Sequence, residues 1–350
     1  MYYLCGMREV QTHEVHSPPL VSIVMPFKNT AAYLPDCINS IIDQRFTHWE
    51  LIAVNDGSED ESYEVVQRFA KEDARITVLH NNGKGIVQAL QTAYALTKGH
   101  YITRMDSDDR MAPEKLGKLY ELLQQHGRGT VATALVEYFA DFPIGDGYRV
   151  YQNWLNKLSH EGTHFKAIYK ECVIASPCWM IHREDFEACG AFGPEVYPED
   201  YELVFRFYEA GFKVAAVPEV LHHWRDYPHR TSRTHPNYAD QRFFDVKLDY
   251  FFRLDRDPSR PLLLWGAGKK GKQLAKLLKQ QQRDFVWMCN NPKKIGLEVA
   301  DILMHDYKTT DQYENPQILI AIAGAAQQEL ITWELNQLGL EHNKNFFFFC

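Results

Sequence analysis

Hydrophobic and polar positions between residues 20 and 105 follow two alternating patterns. Short apolar runs rich in β-branched residues predict strands, and stretches with helical spacing lie between them. The strands are predicted at LVSIVMP, WELIAVN, RITVLH and HYITRM, and the helices at TAAYLPDCINSIIDQ, DESYEVVQRFAKE and IVQALQTAYALTKG. Such alternation predicts βαβ units and an α/β fold with a mostly parallel sheet flanked by helices.

The pattern is less regular beyond residue 130. TVATALVEYF and FKVAAVP predict strands, PEDYELVFRFYEAG predicts a helix, and YADQRFFDVKLDYFFRL predicts an amphipathic helix, whereas 141–170 shows no clean period. After the polar DRDPSRP, PLLLWGAGKKGKQLAKLLKQ begins a new strand–turn–helix unit, followed by strands at DFVWMCNN and PQILIAIAG and an edge strand at FFFFC. We expect an N-terminal extension (1–19), a first α/β domain (20–235), a helix and linker (236–258) and a small Rossmann-like α/β domain (259–350).

The composition narrows the function classes. The 350 residues are 45% hydrophobic and 24% charged, as in soluble globular proteins. A net charge of −8 argues against a nucleic-acid partner, which needs a basic surface. The seven cysteines lack zinc or disulfide spacing, and neither a signal peptide nor a spanning segment is evident. We expect a cytoplasmic protein, with peripheral contact at the inner face of a membrane left open.

Three loops with polar or acidic residues are predicted at the carboxyl ends of strands: MPFKNT, NDGSED and MDSDDR. Ligands bind at this edge of parallel sheets, although polar residues are expected in any loop. The carboxylates of DSD suit Mg²⁺ or Mn²⁺, which need only one or two protein carboxylates when substrate phosphates complete the coordination. The glycine and distal glutamate of an EF-hand are absent, as is a GxxxxGK[ST] phosphate loop.

Four segments, taken in order, resemble the family 2 glycosyltransferases, which are inverting enzymes of the GT-A fold. They are VSIVMPFKNT, WELIAVNDGSEDES, NNGKGIVQAL and GHYITRMDSDDRM. The resemblance covers about residues 20–230 and rests on four motifs with the family's spacing. It implies that Pro26, Phe27 and Asn29 lie near the nucleotide base and that Asp56 recognises uracil or ribose. Gly57 and Ser58 then form the adjoining turn, or are a structural turn only.

The same resemblance assigns further roles around the acidic cluster. Gly85 lies where the backbone passes the nucleotide, or is only a helix N-cap. Asp108 binds the metal directly, and Asp106 faces the ribose or a metal-bound water. Asp109 supports the site or caps a turn, and both alternatives stay open. Arg104 contacts the sugar donor or the acids, or forms a surface salt bridge.

The second acidic motif is Glu199–Asp200 in YPEDYELVFRFYEAG. Acids are favoured in the first turn of any helix. The resemblance, however, makes Asp200 the general base that removes the acceptor hydroxyl's proton, with Glu199 orienting it. It also places His223 near the metal, without deciding between His223 and His222.

Three further side chains are assigned more loosely. Arg225 and Arg230 suit diphosphate oxygens, because a guanidinium donates forked hydrogen bonds. Trp179 is either an acceptor-side platform for a sugar ring or a core residue.

The second domain carries GxGxxG directly after a strand, as a dinucleotide site requires. The next strand ends in Cys289, Asn290 and Asn291, without the carboxylate that would bind a ribose. We favour a structural or regulatory role for this domain over an NAD site, for which the sequence gives no firm evidence.

The sequence thus predicts a metal-dependent glycosyltransferase that uses a nucleotide sugar, with UDP expected, and a glycan or lipid-linked acceptor. Two alternatives stand beside it. A sugar-phosphate nucleotidyltransferase would need a glycine-rich basic loop after the first strand, and MPFKNT has no glycine. A non-catalytic nucleotide-sugar binding protein would have no need of a base.

Overall fold

The structure is a computed structural model, and it describes residues 20–228, 230 and 240–350. Two β-sheets organise these residues. The first has eight strands in the order β3-β2-β1-β4-β7-β6-β8-β5. Its strands are β1 (Val21–Phe27), β2 (Trp49–Asn55), β3 (Ile76–His80), β4 (Tyr101–Arg104), β5 (Arg110–Met111), β6 (Thr130–Phe139), β7 (Trp179–His182) and β8 (Lys213–Arg225). The predicted α/β fold with a mostly parallel sheet is confirmed, because only β5 and β7 pair antiparallel with their neighbours in this sheet.

Helices cover both faces of the first sheet. They are α1 (Leu34–Ile42), α2 (Ser62–Glu72), α3 (Ile86–Tyr94), α4 (Lys115–His126), α5 (Asp146–Glu161), α6 (Arg183–Ala188) and α7 (Glu199–Glu209), with a 3₁₀ turn at His164–Ala167. Alternate residues of β1 point to opposite faces, so that Val21 and Ile23 pack with α1 whereas Val24 packs with α3. Both faces of the strand are therefore apolar core.

The structure adds to our sequence predictions at two places in this region. The segment 141–170, for which no element was predicted, contains α5, a helix of 16 residues that packs on β6 and β8. The predicted strand FKVAAVP is only the first half of β8, which continues through Arg225 across a break in register with β6 near Leu135. The residues LHHWR are therefore strand and not loop, and this changes which of their side chains are buried.

The second sheet has five parallel strands in the order β11-β10-β9-β12-β13. Its elements are β9 (Leu262–Trp265), α9 (Lys269–Gln280), β10 (Val286–Cys289), β11 (Met304–Asp306), β12 (Gln317–Ile320), α10 (Ala325–Gln337) and β13 (Phe346–Phe348), with a 3₁₀ turn at Tyr307–Gln312. β13 lies at the edge of the sheet, where FFFFC was expected to lie. This strand order is that of doubly wound α/β sheets.

Aromatic packing joins the two sheets. The helix α8 (Asp240–Tyr250) and the following π-helical turn, Phe251–Asp255, lie between them. Tyr169 stacks on Phe349 with ring centroids 5.3 Å apart, and Phe251 contacts Phe347 at 5.1 Å. Lys247 of α8 donates to the carbonyl of Lys170 and to that of Phe349. No helix in the described ranges is both long and apolar enough to cross a membrane.

Candidate active site

The carboxyl ends of the parallel strands bring the predicted loops to one edge of the first sheet. In the register of β1, Phe27 lies opposite Asn55 of β2, and Val24 lies opposite Arg104 of β4. β8 runs parallel to β6 and ends at Arg225 on this same edge. The loops after β1, β2, β4 and β8 therefore meet, which is where α/β sheets bind ligands.

Asp56 is held by two hydrogen bonds in the loop after β2. Its Oδ1 accepts from Asn81 Nδ2 at 2.8 Å and from the backbone N–H of Gly85 at 2.8 Å. Gly85 has a φ of 97°, and a Cβ there would lie 3.1 Å from Tyr197 Oη, so a larger residue would be strained and crowded. Both bonds are made by one oxygen, Oδ1, so the carboxylate is held in one orientation.

The loops after β1 and β2 are tied to each other. The N–H of Asn29 donates to Ser58 Oγ at 3.1 Å, and Asn29 Oδ1 accepts from the N–H of Glu59 at 2.8 Å. Gly57, directly before Ser58 in the loop after β2, forms a turn with a φ of 68°. Pro26 and Phe27 end β1 and do not belong to the loop, and the ring of Phe27 is buried in the core.

Arg104 links the two acidic motifs. Its Nε donates to Asp106 Oδ1 at 2.9 Å and a terminal nitrogen donates to Glu199 Oε1 at 3.1 Å. The arginine is only 5% exposed and Glu199 only 8%. The surface salt bridge considered from the sequence is thus excluded, because the pair with Glu199 is buried and the pair with Asp106 is partly buried. The guanidinium fixes the loop after β4 relative to the start of α7.

Asp108 is a buried carboxylate with an aromatic and a cationic neighbour. Tyr227 hydrogen-bonds to it, and the positive charge of Arg230 acts on it. Burial raises the pKa of Asp108, Arg230 opposes this, and the charge of Asp106 raises the pKa further. Tyr227 and Arg230 lie in the sequence just beyond β8, and our sequence analysis did not assign Tyr227.

Asp109 is fully buried and joins the acidic loop to β8. Its Oδ1 accepts from the N–H of Arg225 at 2.8 Å, and its Oδ2 lies 3.0 Å from His222 Nε2. The other imidazole nitrogen, Nδ1, lies 3.0 Å from Lys115 Nζ. Burial, and then Lys115, lowers the pKa of His222, which favours the neutral ring. A lysine ammonium at Nδ1 would place the proton of that ring on Nε2, facing Asp109.

Two further predicted residues, Arg225 and His223, lie at or near the end of β8. Arg225 Nε donates to the carbonyl of Asp108, and a terminal nitrogen donates to Asp36. His223 points to the opposite side of β8 from His222 and lies 3.4 Å from Glu137. The structure therefore does not bring His223 to the aspartates, and its metal role stays a prediction.

The sugar platform proposed for Trp179 is not supported. Trp179 is 2% exposed and packs against Phe186, Phe192 and Phe207. A ring with so little exposed surface has no face available to a sugar, so the residue belongs to the core.

Asp200 is the second residue of α7 and is half-buried beside Glu199. Burial, followed by the charge of Glu199, raises the pKa of Asp200 to about 7, although Arg104 opposes the shift. Its Oδ1 accepts only a local bond, from the N–H of Tyr201 at 2.8 Å. A carboxylate with a pKa near neutrality is a stronger base than an ordinary aspartate, which suits proton abstraction.

The donor set fits a divalent cation that also binds a diphosphate. Asp106 and Asp108 supply carboxylate oxygens, which Mg²⁺ and Mn²⁺ accept. Within the described residues no three histidine, cysteine or acidic side chains are arranged to hold a metal alone. Substrate oxygens would therefore have to complete the coordination.

We expect Asp108→Asn and Asp109→Asn to separate ligand binding from stability. Asp108→Asn removes a buried charge, so UDP affinity in Mn²⁺ should fall about 10- to 100-fold without loss of unfolding free energy. Asp109→Asn should instead cost about 1–3 kcal/mol of stability, because one amide oxygen replaces two oxygens that face two N–H donors.

Calorimetric titration with UDP and urea unfolding measure the two effects in each variant. An Asp109→Asn protein as stable as the wild type would show that its buried contacts are dispensable. An Asp108→Asn protein with unchanged UDP affinity in Mn²⁺ would remove Asp108 from the metal site.

Beside the second sheet, packing accounts for two glycines of GxGxxG. A Cβ on Gly271 would lie 2.0 Å from the carbonyl oxygen of Gly266, and one on Gly266 would lie 2.9 Å from that of Ala321. Trp287 Nε1 and Lys294 Nζ donate to the carbonyls of Gly266 and Ala267. The motif therefore has a structural explanation that needs no dinucleotide.

Comparisons with known proteins agree with this geometry. The family model "Glycosyl transferase family 2" matches residues 22–190. Glycosyltransferase GlyG of Streptococcus pneumoniae is 39% identical over 213 residues, which are 59% of this chain and 70% of GlyG.

Two solved structures show the same fold at low identity. TarS of S. aureus, residues 1–349 in complex with UDP-GlcNAc, has a TM-score of 0.54 at 15% identity and covers 75% of this chain and 72% of its own. The mannosyltransferase PcManGT of Pyrobaculum calidifontis, in complex with GDP-Man and Mn²⁺, has a TM-score of 0.51 at 18% identity, covering 69% and 66%. The sheet, the acidic edge and these relatives together establish that the chain belongs to glycosyltransferase family 2 and is a glycosyltransferase of the GT-A fold.

Proposed function

We propose that the protein transfers a sugar from a UDP-linked donor to a hydroxyl of a glycan or lipid-linked glycan, with inversion and with a divalent metal. The observation that carries the proposal is the buried bridge from Asp106 through Arg104 to Glu199. It holds the carboxylates suited to a metal–diphosphate complex beside the start of the helix that carries Asp200. An inverting transfer needs these two groups on separate elements.

The chain's own groups divide the reaction between them. Asp56, oriented by Asn81 and Gly85, would accept hydrogen bonds from uracil or ribose. Asp200 would take the proton of the acceptor hydroxyl as its oxygen attacks the anomeric carbon. Asp106 and Asp108 would hold Mn²⁺ or Mg²⁺, which when bound neutralises charge on the leaving diphosphate. Arg225 and Arg230 would line the diphosphate side.

UDP is supported by Asp56 and by the TarS complex with UDP-GlcNAc, and a metal by the Mn²⁺ complex of PcManGT. Family membership favours transfer over the nucleotidyltransferase and the non-catalytic binding protein.

The test is incubation with a panel of nucleotide sugars and glycan acceptors, with Mn²⁺ or EDTA, followed by NMR of the product. Inverted anomeric configuration and release of UDP support the proposal; retained configuration, or pyrophosphate from a nucleoside triphosphate, contradicts it.

The raised pKa of Asp200 predicts that the transfer rate falls as the pH drops below about 7. The base acts as a carboxylate, and its pKa of about 7 means that it becomes protonated as the pH falls below 7. We expect kcat/KM to drop about tenfold per pH unit below that point and to be constant above it. Rates of UDP release between pH 5 and 8.5 measure this. A constant rate down to pH 5 would show an ordinary carboxylate or a different base.

A further inference from the structure

A cleft of about 150 Å³ lies between the two sheets, away from the acidic edge. One wall comes from α5 and the segment that follows it, with Trp154, Lys166 and Lys170; the other comes from α10 and the approach to β13, with Gln328 and His342. Drug-sized ligands occupy larger pockets, of about 300–1,000 Å³. The cleft therefore suits one small group, such as a single sugar residue with its substituent.

The residues that line this cleft include two lysines, Lys166 and Lys170. Among the described residues that line it none is acidic, and neither Lys166 nor Lys170 forms an ion pair within the described part of the chain. Burial, then Lys166 and Lys170, lowers the pKa of His342 to about 4. Burial also lowers the pKa of Lys170, with Cys350 opposing the shift and Lys157 adding to it. Cations collected without carboxylates favour a bound anion.

The walls between these cations are aromatic. Lys170 lies over the ring of Trp154 at 5.7 Å, and His342 is stacked on Phe346 with centroids 5.2 Å apart. Phe348 and Tyr169 complete the apolar surface. Sites that combine apolar walls with a few convergent polar groups bind ligands that have both characters. A phosphorylated sugar has a C–H face for the rings and a phosphate for the lysines.

Hydrogen bonds fix the positions of both walls. Gln328 Nε2 donates to the carbonyls of Ile322 and Cys350, each at 2.6 Å, and Asn343 Nδ2 donates to the carbonyl of Lys166 at 2.8 Å. The bond between Asn343 and Lys166 joins the two walls directly. Tyr201, the neighbour of Asp200, donates its hydroxyl to the carbonyl of Ile168 in the first wall. The cleft is thus preformed and connected through the backbone to α7.

We propose that this cleft is a binding site for a phosphorylated sugar, with Lys166 and Lys170 contacting the phosphate and Trp154 the sugar ring. The ligand is either a free sugar phosphate or a phosphate-bearing unit of the glycan acceptor, because both present a sugar ring and a phosphate to the cleft. The proposal goes beyond the transfer reaction and does not depend on which residue is the base.

The test titrates full-length protein with glucose 1-phosphate, inorganic phosphate and glucose in EDTA, which removes metal-dependent binding at the acidic edge. We expect glucose 1-phosphate to bind more tightly than inorganic phosphate and glucose not to bind. The double variant Lys166→Gln/Lys170→Gln should bind glucose 1-phosphate at least about tenfold more weakly. The matched control Lys272→Gln/Lys276→Gln, on the exposed face of α9, should bind like the wild type.

No binding by the wild type, or equal binding by the Lys166/Lys170 variant, would overturn the proposal, as would an equal loss in the control. UDP binding in Mn²⁺ should be the same in all three proteins, so failure here is distinct from failure of the proposed function.

Two further measurements identify the source of the ligand. A changed rate of donor hydrolysis on adding glucose 1-phosphate indicates a free effector, whereas competition with a phosphorylated acceptor glycan and unchanged hydrolysis indicate the acceptor.

Discussion

Asp200→Asn is expected to reduce sugar transfer by about 100- to 10,000-fold, the range that a positioned general base contributes. The amide has nearly the same shape and can still accept from the N–H of Tyr201, so the start of α7 should keep its structure. It cannot accept the proton of the acceptor hydroxyl. The burial that raises the pKa of Asp200 disfavours its charged form, so the uncharged variant should be at least as stable as the wild type.

Three measurements separate this loss from a general defect: the transfer rate, UDP affinity in Mn²⁺ and unfolding by urea. We expect only the transfer rate to fall. Glu209→Gln is the matched control, because it makes the same chemical change at the exposed carboxyl end of the same helix and should leave the rate unchanged. An Asp200→Asn enzyme that transfers sugar at the wild-type rate would exclude Asp200 as the base.

The sequence predicted the strand ends well because their signal is local. Apolar runs that break into NDGSED and MDSDDR fix β2 and β4, and the parallel sheet then brings their ends together. Contact of Arg104 with the acidic cluster was one of the predicted alternatives, and the structure shows it with Asp106. The pairing of Arg104 with Glu199 could not be predicted, since Glu199 lies 95 positions away and only the folded chain brings it near. One signal was available: an arginine in the buried strand YITRM needs a buried partner.

The assignment of the histidines shows a different limit. With β8 predicted to end at Pro218, residues 222 and 223 were treated as a loop in which either side chain can face the metal. In the strand that the structure contains, alternate side chains face opposite sides. His222 is therefore buried against Asp109 and Lys115, and His223 is left near Glu137. Lys115 gave no sequence signal, because lysines at helix starts are usually exposed.

The buried bridge predicts the second large effect: Arg104→Met should lower the free energy of unfolding by about 3–5 kcal/mol. Methionine fills much of the arginine's volume but leaves Asp106 and Glu199 without their shared cation, and Glu199 is 8% exposed. Water can therefore solvate Glu199 only poorly, and the uncompensated charge opposes folding. The same change also removes the charge of Arg104, which lowers the pKa of Asp200. The fall in transfer rate at acid pH should therefore begin at a higher pH in this variant.

Arg45→Met is the matched control for this prediction. It removes an arginine that pairs with Glu114 at 2.7 Å, but its side chain is 75% exposed, and such pairs contribute about 0–1 kcal/mol. Urea unfolding at pH 8 compares the two variants. Equal stability losses would mean that the bridge contributes no more than a surface pair. A large loss confined to Arg104→Met, together with a fall in the rate of UDP release that begins at a higher pH, would establish that one buried guanidinium both stabilises the edge and sets the strength of its base.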